Sequence, residues 1–277
     1  MMLSEYLIGS VLIFSLLLLL VKKMELRRRW ALPWILSISP LGMWLASFHP
    51  LFLPVQSFII RFSVAFFLSV VASILVILCF FYRDPQRIPP ADPRTILSPA
   101  DGKIIYINKL QNNRFPIALK KGKVIPLTEF TAIPFPVENG FQIGIMMSYL
   151  DVHVNRSPIT GRIDEIKKIP GAFRSLKHMD SLLENERVLT VISGSEGRIG
   201  VVQIASRIVR RIVPFINKGD SIRQGDRIGM IRFGSQVDVL IPDGTDLIIV
   251  VKVGDYIKAG MSILARYQDE NGEKMKE

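Results

Sequence analysis

Three short stretches of the sequence carry side chains able to do covalent or proton-transfer chemistry. The first is Arg232-Phe233-Gly234-Ser235-Gln236-Val237-Asp238-Val239, where a glycine and a serine interrupt a β-like run. Gly234 removes side-chain bulk and permits unusual backbone angles, so the hydroxyl of Ser235 could attack the carbonyl that precedes it. The same pair also reads as a strand glycine followed by an ordinary serine, and no Gly-x-Ser-x-Gly elbow surrounds it. The second stretch is Asp151-Val152-His153-Val154-Asn155-Arg156-Ser157-Pro158. Period-two alternation puts Asp151, His153 and Asn155 on one face of a strand and Val152 and Val154 on the other. That pattern suits either a proton-transfer site built on His153 or a strand facing solvent. The third stretch, Ser98-Pro99-Ala100-Asp101-Gly102-Lys103-Ile104, reads as a turn into a strand, with Asp101 serving turn geometry. His153 has no other His or Cys close in sequence, and the single cysteine, Cys79, lies in an apolar run. Neither a metal site nor a disulfide framework is expected.

The elements that must position these residues fall into two parts. Apolar residues make up 49% of the chain and charged residues 21%, and the two are segregated. Residues 1–82 read as a membrane anchor and residues 83–277 as a globular domain. Three transmembrane segments are expected, over 3–21, 31–53 and 62–81, each near the length of roughly 20 residues that spans a bilayer. Glu5 precedes the first and Lys22-Lys23-Met24-Glu25-Leu26-Arg27-Arg28-Arg29 follows it, which places the N-terminus outside and the basic cluster in the cytoplasm. Pro33, Pro40 and Pro50 interrupt the second segment, so the second and third form a full or a re-entrant hairpin. A full hairpin puts the globular domain on the cytoplasmic side of the cell membrane. Arg83 and Arg87 then fall where phosphates of that leaflet would lie. The net charge of +11 suits anionic headgroups. Nucleic acid is not an expected partner, since no basic-aromatic pattern or zinc module is present.

Beyond Ile104, short β-branched runs alternate with Gly, Pro and Asn turns, including 141–147, 188–192, 200–205, 226–231, 237–241 and 247–251. Helical periodicity is confined to the region of 173–184. The expected class is mainly β, a compact sandwich or barrel-like domain. Two internal echoes sharpen this. Gly219-Asp220-Ser221-Ile222 with Gly225 and Ile228 returns as Gly254-Asp255-Tyr256-Ile257 with Gly260 and Ile263, and Ser98-Pro99-x-x-Gly102-Lys103-Ile104 returns as Ser157-Pro158-x-x-Gly161-Arg162-Ile163. Such Gly-Asp hairpins resemble those of biotinyl and lipoyl carrier domains, whose sheets form a barrel-sandwich. A carrier presents a lysine between two hydrophobic residues at a hairpin tip, and no Met-Lys or Asp-Lys of that kind is found, so the likeness concerns a lipoyl-like fold only.

Taken in order, Phe81-Tyr82-Arg83-Asp84-Pro85-x-Arg87, Ser98-Pro99-Ala100-Asp101-Gly102-Lys103, Asp151-Val152-His153-Val154-Asn155-Arg156-x-Pro158, Glu184-Asn185-Glu186-Arg187 and Arg232-Phe233-Gly234-Ser235 resemble the phosphatidylserine decarboxylase proenzymes. The final motif is similar to that of the short, prokaryotic-type branch. The resemblance spans about residues 80–265, and the first membrane segment looks like an addition to the usual anchor. It implies self-cleavage between Gly234 and Ser235, giving a β chain of residues 1–234 and an α chain of residues 235–277 that stay associated. It further implies that Ser235 becomes a covalent pyruvoyl group, which forms a Schiff base with the amine of phosphatidylserine and releases phosphatidylethanolamine and CO2. Asp101, His153 and Ser235 match the family's catalytic trio, with His153 as base and proton donor and Asp101 fixing its tautomer. No metal is implied, and a homo-oligomer is compatible with the sequence. A related headgroup lipid, archaetidylserine, is the neighbouring alternative. A non-catalytic, membrane-tethered lipoyl-like module is the alternative from another class.

Overall fold

Long runs of Leu, Ile, Val and Phe near the N-terminus favour helices, whose backbone groups are satisfied within the segment. A computed structural model describes residues 2–23, 28–48, 57–110, 114–115, 125–133, 139–172, 184–195, 197–205, 211–232, 235–243 and 246–267. The chain divides into two units, residues 1–83 with 148–150, and residues 84–147 with 151–277.

The first unit holds helices α1 (Met2–Lys23), α2 (Arg28–Phe48) and α3 (Phe58–Tyr82). Its outward face is apolar, with Leu3, Ile8, Val11 and Leu19 of α1 and Ile59, Phe67 and Leu75 of α3 exposed. The inward positions of α3 include Ala65, Ser69 and Ser73. A Cβ on Gly42 of α2 would lie 2.2 Å from Ser69 Oγ and 3.0 Å from the Ala65 carbonyl, so glycine is what lets α2 and α3 approach. Small residues inside and large apolar ones outside is the pattern of helices packed in lipid. Arg61 of α3 donates to Glu5 of α1 at 2.7 Å. Leu150 packs in the same buried cluster as Ile13, Ala31 and Ala65. Helices α1 and α3 are long and apolar enough to cross a membrane, whereas the apolar part of α2, Ala31–Ala46, is shorter and contains Pro33 and Pro40. Residues 49–56, which include the end of the expected second span, lie outside the described residues.

The second unit is mainly β, as its composition predicts. In chain order it contains β1 (Thr95–Leu97), β2 (Gly102–Leu110), β3 (Arg114–Phe115), β4 (Ile125–Pro126), the short α4 (Leu127–Thr131), β5 (Gly140–Met147), β6 (Val154–Arg156), β7 (Gly161–Ile169), β8 (Arg187–Gly194) and β9 (Gly197–Ala205). It continues with β10 (Arg211–Pro214), β11 (Ser221–Ile222), β12 (Arg227–Arg232), β13 (Ser235–Pro242), β14 (Leu247–Ile249), β15 (Tyr256–Ile257) and β16 (Ile263–Tyr267). An eight-stranded sheet runs β11-β7-β8-β9-β13-β5-β2-β15 and curls into a half-barrel. Smaller sheets are β10-β12-β6 and β1-β16-β14. Strands at the centre of the large sheet carry apolar residues on both faces because both are covered. Val188, Val201, Val237 and Val239 enter one core, while Leu189, Val202, Ile204 and Leu240 enter a second. The helical stretch expected over 173–184 lies, but for Glu184, outside the described residues.

The two sequence echoes become matching structures at opposite ends of the large sheet. β15 pairs with β2 through Tyr256↔Lys103 and Ile257↔Gly102, and β11 pairs with β7 through Ser221↔Arg162 and Ile222↔Gly161. The hydrogen bonds repeat: Gly254 N donates to the Ile104 carbonyl at 2.9 Å, and Gly219 N to the Ile163 carbonyl at 2.8 Å. Glycine is required where the turns close onto neighbouring strands. A Cβ on Gly102 would lie 2.3 Å from the Met146 carbonyl, and one on Gly161 would lie 2.1 Å from that of Ser193.

One charged group sits deep in the large sheet. Tyr106 of β2 lies across Gly144 of β5, where a Cβ would meet its ring carbon at 2.3 Å. Its hydroxyl donates to Asp238 of β13 at 2.7 Å, and Gln142 donates to the same carboxylate oxygen. Gln236 donates to the other oxygen at 2.7 Å. Burial pushes the Asp238 carboxyl up to about 6, while hydrogen bonds from Gln236, Tyr106 and Gln142 pull it down. Burial first, then the Asp238 charge, holds the Tyr106 hydroxyl well above its ordinary value. The folded state therefore binds the Asp238 proton more tightly than the unfolded chain, whose aspartates titrate near about 3.9. The associated stability, of order 3 kcal/mol, is full below about pH 4 and is lost as pH rises through about 6. Thermal unfolding of the full chain in detergent should therefore show a midpoint that declines with rising pH across this window. In Asp238→Asn the decline should be shallower.

Candidate active site

Every residue from Asp151 to Pro158 is buried, so the stretch is not a strand turned to solvent. Only Val154–Arg156 forms a strand; Asp151 to His153 is an irregular lead-in, and the expected alternation across 151–155 is not realised. His153 is 0% exposed. Its Nδ1 lies 2.8 Å from the main-chain carbonyl of Asp151. A carbonyl only accepts, so Nδ1 carries the proton and Nε2 is the basic nitrogen. The Asp151 side chain in turn accepts from Tyr256, at the second Gly-Asp hairpin.

Backbone pairing brings this histidine to β12, the strand that precedes Gly234-Ser235 in the sequence. β6 pairs with β12 through Met230↔Val154, and the amide of Ile231 donates to the carbonyl of His153 at 3.3 Å. β12 ends at Arg232 and β13 begins at Ser235. Phe233 and Gly234 lie outside the described residues, and of Ser235 only the main chain is described. That main chain registers with Met147 of β5 on one side and Ala205 of β9 on the other.

Buried amides tie the same strands together. Gln203 of β9 donates to Asn155 Oδ1 at 2.7 Å, and Asn155 Nδ2 faces Met147 Sδ at 3.9 Å. Asn155 thus touches the residue that pairs with Ser235 on β5. Asn185 performs the parallel task on the other flank, donating to the Ala205 carbonyl at 3.0 Å. Arg187 fixes that corner through the carbonyls of Phe130 at 2.9 Å and Asn185 at 3.2 Å, with its guanidinium 5.6 Å from the Phe130 ring centre. The Glu184-Asn185-Glu186-Arg187 motif therefore orders the end of β9. Gln203 was not singled out from the sequence, although a lone amide among Val201, Val202 and Ile204 was a readable signal.

Asp101 sits in the turn before β2 and is 5% exposed. Its carboxylate accepts from Arg87 Nη1 at 2.5 Å and Nη2 at 2.8 Å, and from the amide of Ala259 at 2.8 Å. In the matching repeat, Thr160 Oγ1 accepts from the amide of Gln224 at 3.0 Å. Asp101 thus does the turn work of Thr160 and also neutralises Arg87. Arg87 is not directed at leaflet phosphates; its donors go to Asp101 and, at 2.7 Å, the Ala259 carbonyl. Arg83 lies over the ring of Phe80 at 4.9 Å. The Asp101 turn meets the histidine strand through Pro99, whose carbonyl accepts from the Arg156 amide at 2.9 Å and from Asn155 Nδ2 at 3.4 Å. Arg156 bonds Asp84 at 2.9 Å, and Arg227 of β12 bonds the same carboxylate. Residues of all the motifs in the described chain are thus joined in one network. The proton on His153 Nδ1 goes to Asp151, while Asp101 is held by Arg87.

A sequence profile described as phosphatidylserine decarboxylase matches residues 75–265. The chain belongs to the phosphatidylserine decarboxylase family. A phosphatidylserine decarboxylase proenzyme of Azorhizobium caulinodans is 40% identical over 206 residues, covering 74% of this chain and 80% of that protein. A Methanocaldococcus jannaschii protein provisionally named archaetidylserine decarboxylase proenzyme is 42% identical over 209 residues, covering 74% of this chain and 97% of its own. A similarly named protein of Methanothermobacter thermautotrophicus is 37% identical over 198 residues, 70% of this chain and 82% of that one. Within the phosphatidylserine decarboxylase domain, the geometry links Asp101 to the histidine strand through a turn and an arginine. Asp101→Asn and Arg87→Met should therefore impair function to a similar degree, and the double variant should be little worse than either, as measured in a double-mutant cycle on the full chain.

Proposed function

We propose that the chain is a self-processing, pyruvoyl-dependent phosphatidylserine decarboxylase that makes phosphatidylethanolamine and CO2 in phospholipid synthesis. The observation that carries this reading is the hydrogen bond from the Ile231 amide to the His153 carbonyl at 3.3 Å. It sets a buried histidine beside the strand that runs into Gly234-Ser235. In the first step the Ser235 hydroxyl gives its proton to His153 Nε2 while Oγ attacks the Gly234 carbonyl. The Gly234–Ser235 C–N bond breaks, and its nitrogen takes the proton. Residue 235 is left with a free amine, joined to Gly234 by an ester. Loss of the residue-235 Cα proton then expels the carboxylate of residues 1–234 and leaves dehydroalanine. Water replaces its nitrogen, which departs as ammonia.

The site suits a group made from residue 235 itself, because the main chain there is paired on both sides by β5 and β9. A pyruvoyl group at that position supplies a carbonyl for the substrate amine and a sink for the electrons released as CO2 leaves. His153 donates the proton that the substrate carbon then needs. Asp101 acts as a positioning residue: with Arg87 it fixes the turn whose Pro99 carbonyl holds Asn155 and Arg156. Helices α1 and α3, with α2, tether the enzyme to the cell membrane, where phosphatidylserine resides. The Lys22–Arg29 cluster supports a cytoplasmic position for the 83–277 domain. The two archaeal relatives favour archaetidylserine as a second substrate reading, with the same serine headgroup on a different lipid backbone.

Purified protein should run as two fragments, residues 1–234 and 235–277, with a blocked terminus on the smaller one by intact mass. Ser235→Ala should remain whole and inactive; a variant that still splits and decarboxylates would overturn the reading. His153→Ala should slow cleavage by about 100-fold or more, the usual contribution of a positioned base. Parallel assays on phosphatidylserine and archaetidylserine micelles separate the two substrate readings.

A further inference from the structure

Nothing in the proposed chemistry uses the buried carboxylate of Asp238. It lies three residues after Ser235, on the face of β13 opposite Val237 and Val239. It is completely buried, and its hydrogen-bonding groups are neutral: Tyr106 from β2, Gln142 from β5 and Gln236 from β13 itself. Its pairing partner on β9 is the apolar Val202. Beyond burial, the groups that act on its titration are Gln236, Tyr106 and Gln142. An apolar side chain here would continue the second core begun by Val202, Ile204 and Leu240, and would avoid the desolvation cost of a buried charge.

What the carboxylate supplies is register. Main-chain pairing alone is weakly specific along a strand, and a strand with a free end frays at its first residues. Gln236, the residue directly after Ser235, donates to both the Tyr106 hydroxyl at 2.6 Å and Asp238 Oδ1 at 2.7 Å. The Tyr106 ring can reach this point because Gly144 leaves room beneath it. Tyr106 and Gln142 belong to residues 1–234, and Gln236 and Asp238 to residues 235–277, so the cluster joins the two sides of the proposed cut.

We propose that Asp238, with Gln236, Tyr106 and Gln142, is a positioning device that holds the residue-235 terminus in register once the preceding bond is broken. This inference rests on the self-cleavage reading. Before cleavage, the link to β12 helps define the start of β13; afterwards, the polar cluster bears that task from the back of the strand. Any slip of β13 would withdraw the carboxylate from donors on β2 and β5 and leave it buried without them, which is why a charge serves better than an apolar residue.

The test uses the full chain in detergent, with Asp238→Asn and Tyr106→Phe. Cleavage of the unaltered protein is scored first, and failure there counts against the self-cleavage reading rather than against Asp238. For each cleaved variant, kcat and KM on phosphatidylserine mixed micelles are measured together with the thermal midpoint and amide exchange of residues 236–241. The expected result for Asp238→Asn is a fall in kcat of about 10-fold or more with KM within about twofold, and faster exchange confined to the start of β13. Tyr106→Phe should give a smaller change in the same direction, and it decides the matter if Asp238→Asn does not accumulate. An unchanged kcat per cleaved molecule, or a loss explained wholly by a lowered thermal midpoint, would overturn the proposal.

Discussion

All eight residues of β13 are registered against β5, and six of them against β9 as well. The rest of the site depends on this double pairing. It sets the main chain of Ser235 between Met147 and Ala205. Met147 and Ala205 are themselves fixed from behind, the first by Asn155 and the second by Asn185. The apolar cores on both faces make the arrangement stiff, because Val237 and Val239 on one side and Leu240 on the other would all be displaced by a slip.

The polar network serves this constraint at some energetic cost. Asp84, Arg87, Asp101, Arg156 and Arg227 are joined by ion pairs, and burial lowers the Arg156 guanidinium from its ordinary value despite the nearby Asp84. Buried ion pairs add little net stability, but breaking one by removing a single partner is costly. Their contribution here is placement. Asp84 joins the histidine strand to β12, and Asp101 joins the segment at Arg87 to the turn that faces Asn155. A hydrogen bond from His153 Nδ1 to the Asp151 main-chain carbonyl sets the tautomer.

Much of this was legible in the sequence where local chemistry decides local structure. The β-branched runs became strands within a few residues of their expected ends, and the Gly-Asp echoes became paired hairpins because their glycines permit the close turns. The order of motifs was enough to identify the family. Other features depend on partners remote in sequence. The alternation around His153 suited either a proton-transfer site or a strand facing solvent, and burial of the whole segment removes the second reading; only Val154–Arg156 pairs as a strand with β12. Asp101 read as a turn residue, and its hydrogen bond to Ala259 agrees; its ion pair with Arg87 could not be seen from spacing. Nothing in the local sequence marks Asp238, since Tyr106 and Gln142 reach it only after β2, β5 and β13 lie side by side.

The strands after the proposed cut have a consequence for how such a molecule would age. β13 lies between β9 and β5, β15 lies on β2, and β16 pairs with β1; within this region only β14 and β16 pair with each other. Under the proposed self-cleavage, a fragment beginning at residue 235 would have little sheet of its own among the described residues, and its release would require the domain to unfold. On that proposal, the terminus once made could not be swapped for a fresh one from another copy. Chemical damage to it would retire the whole polypeptide, and the supply of working sites would follow synthesis of new chains rather than repair of old ones.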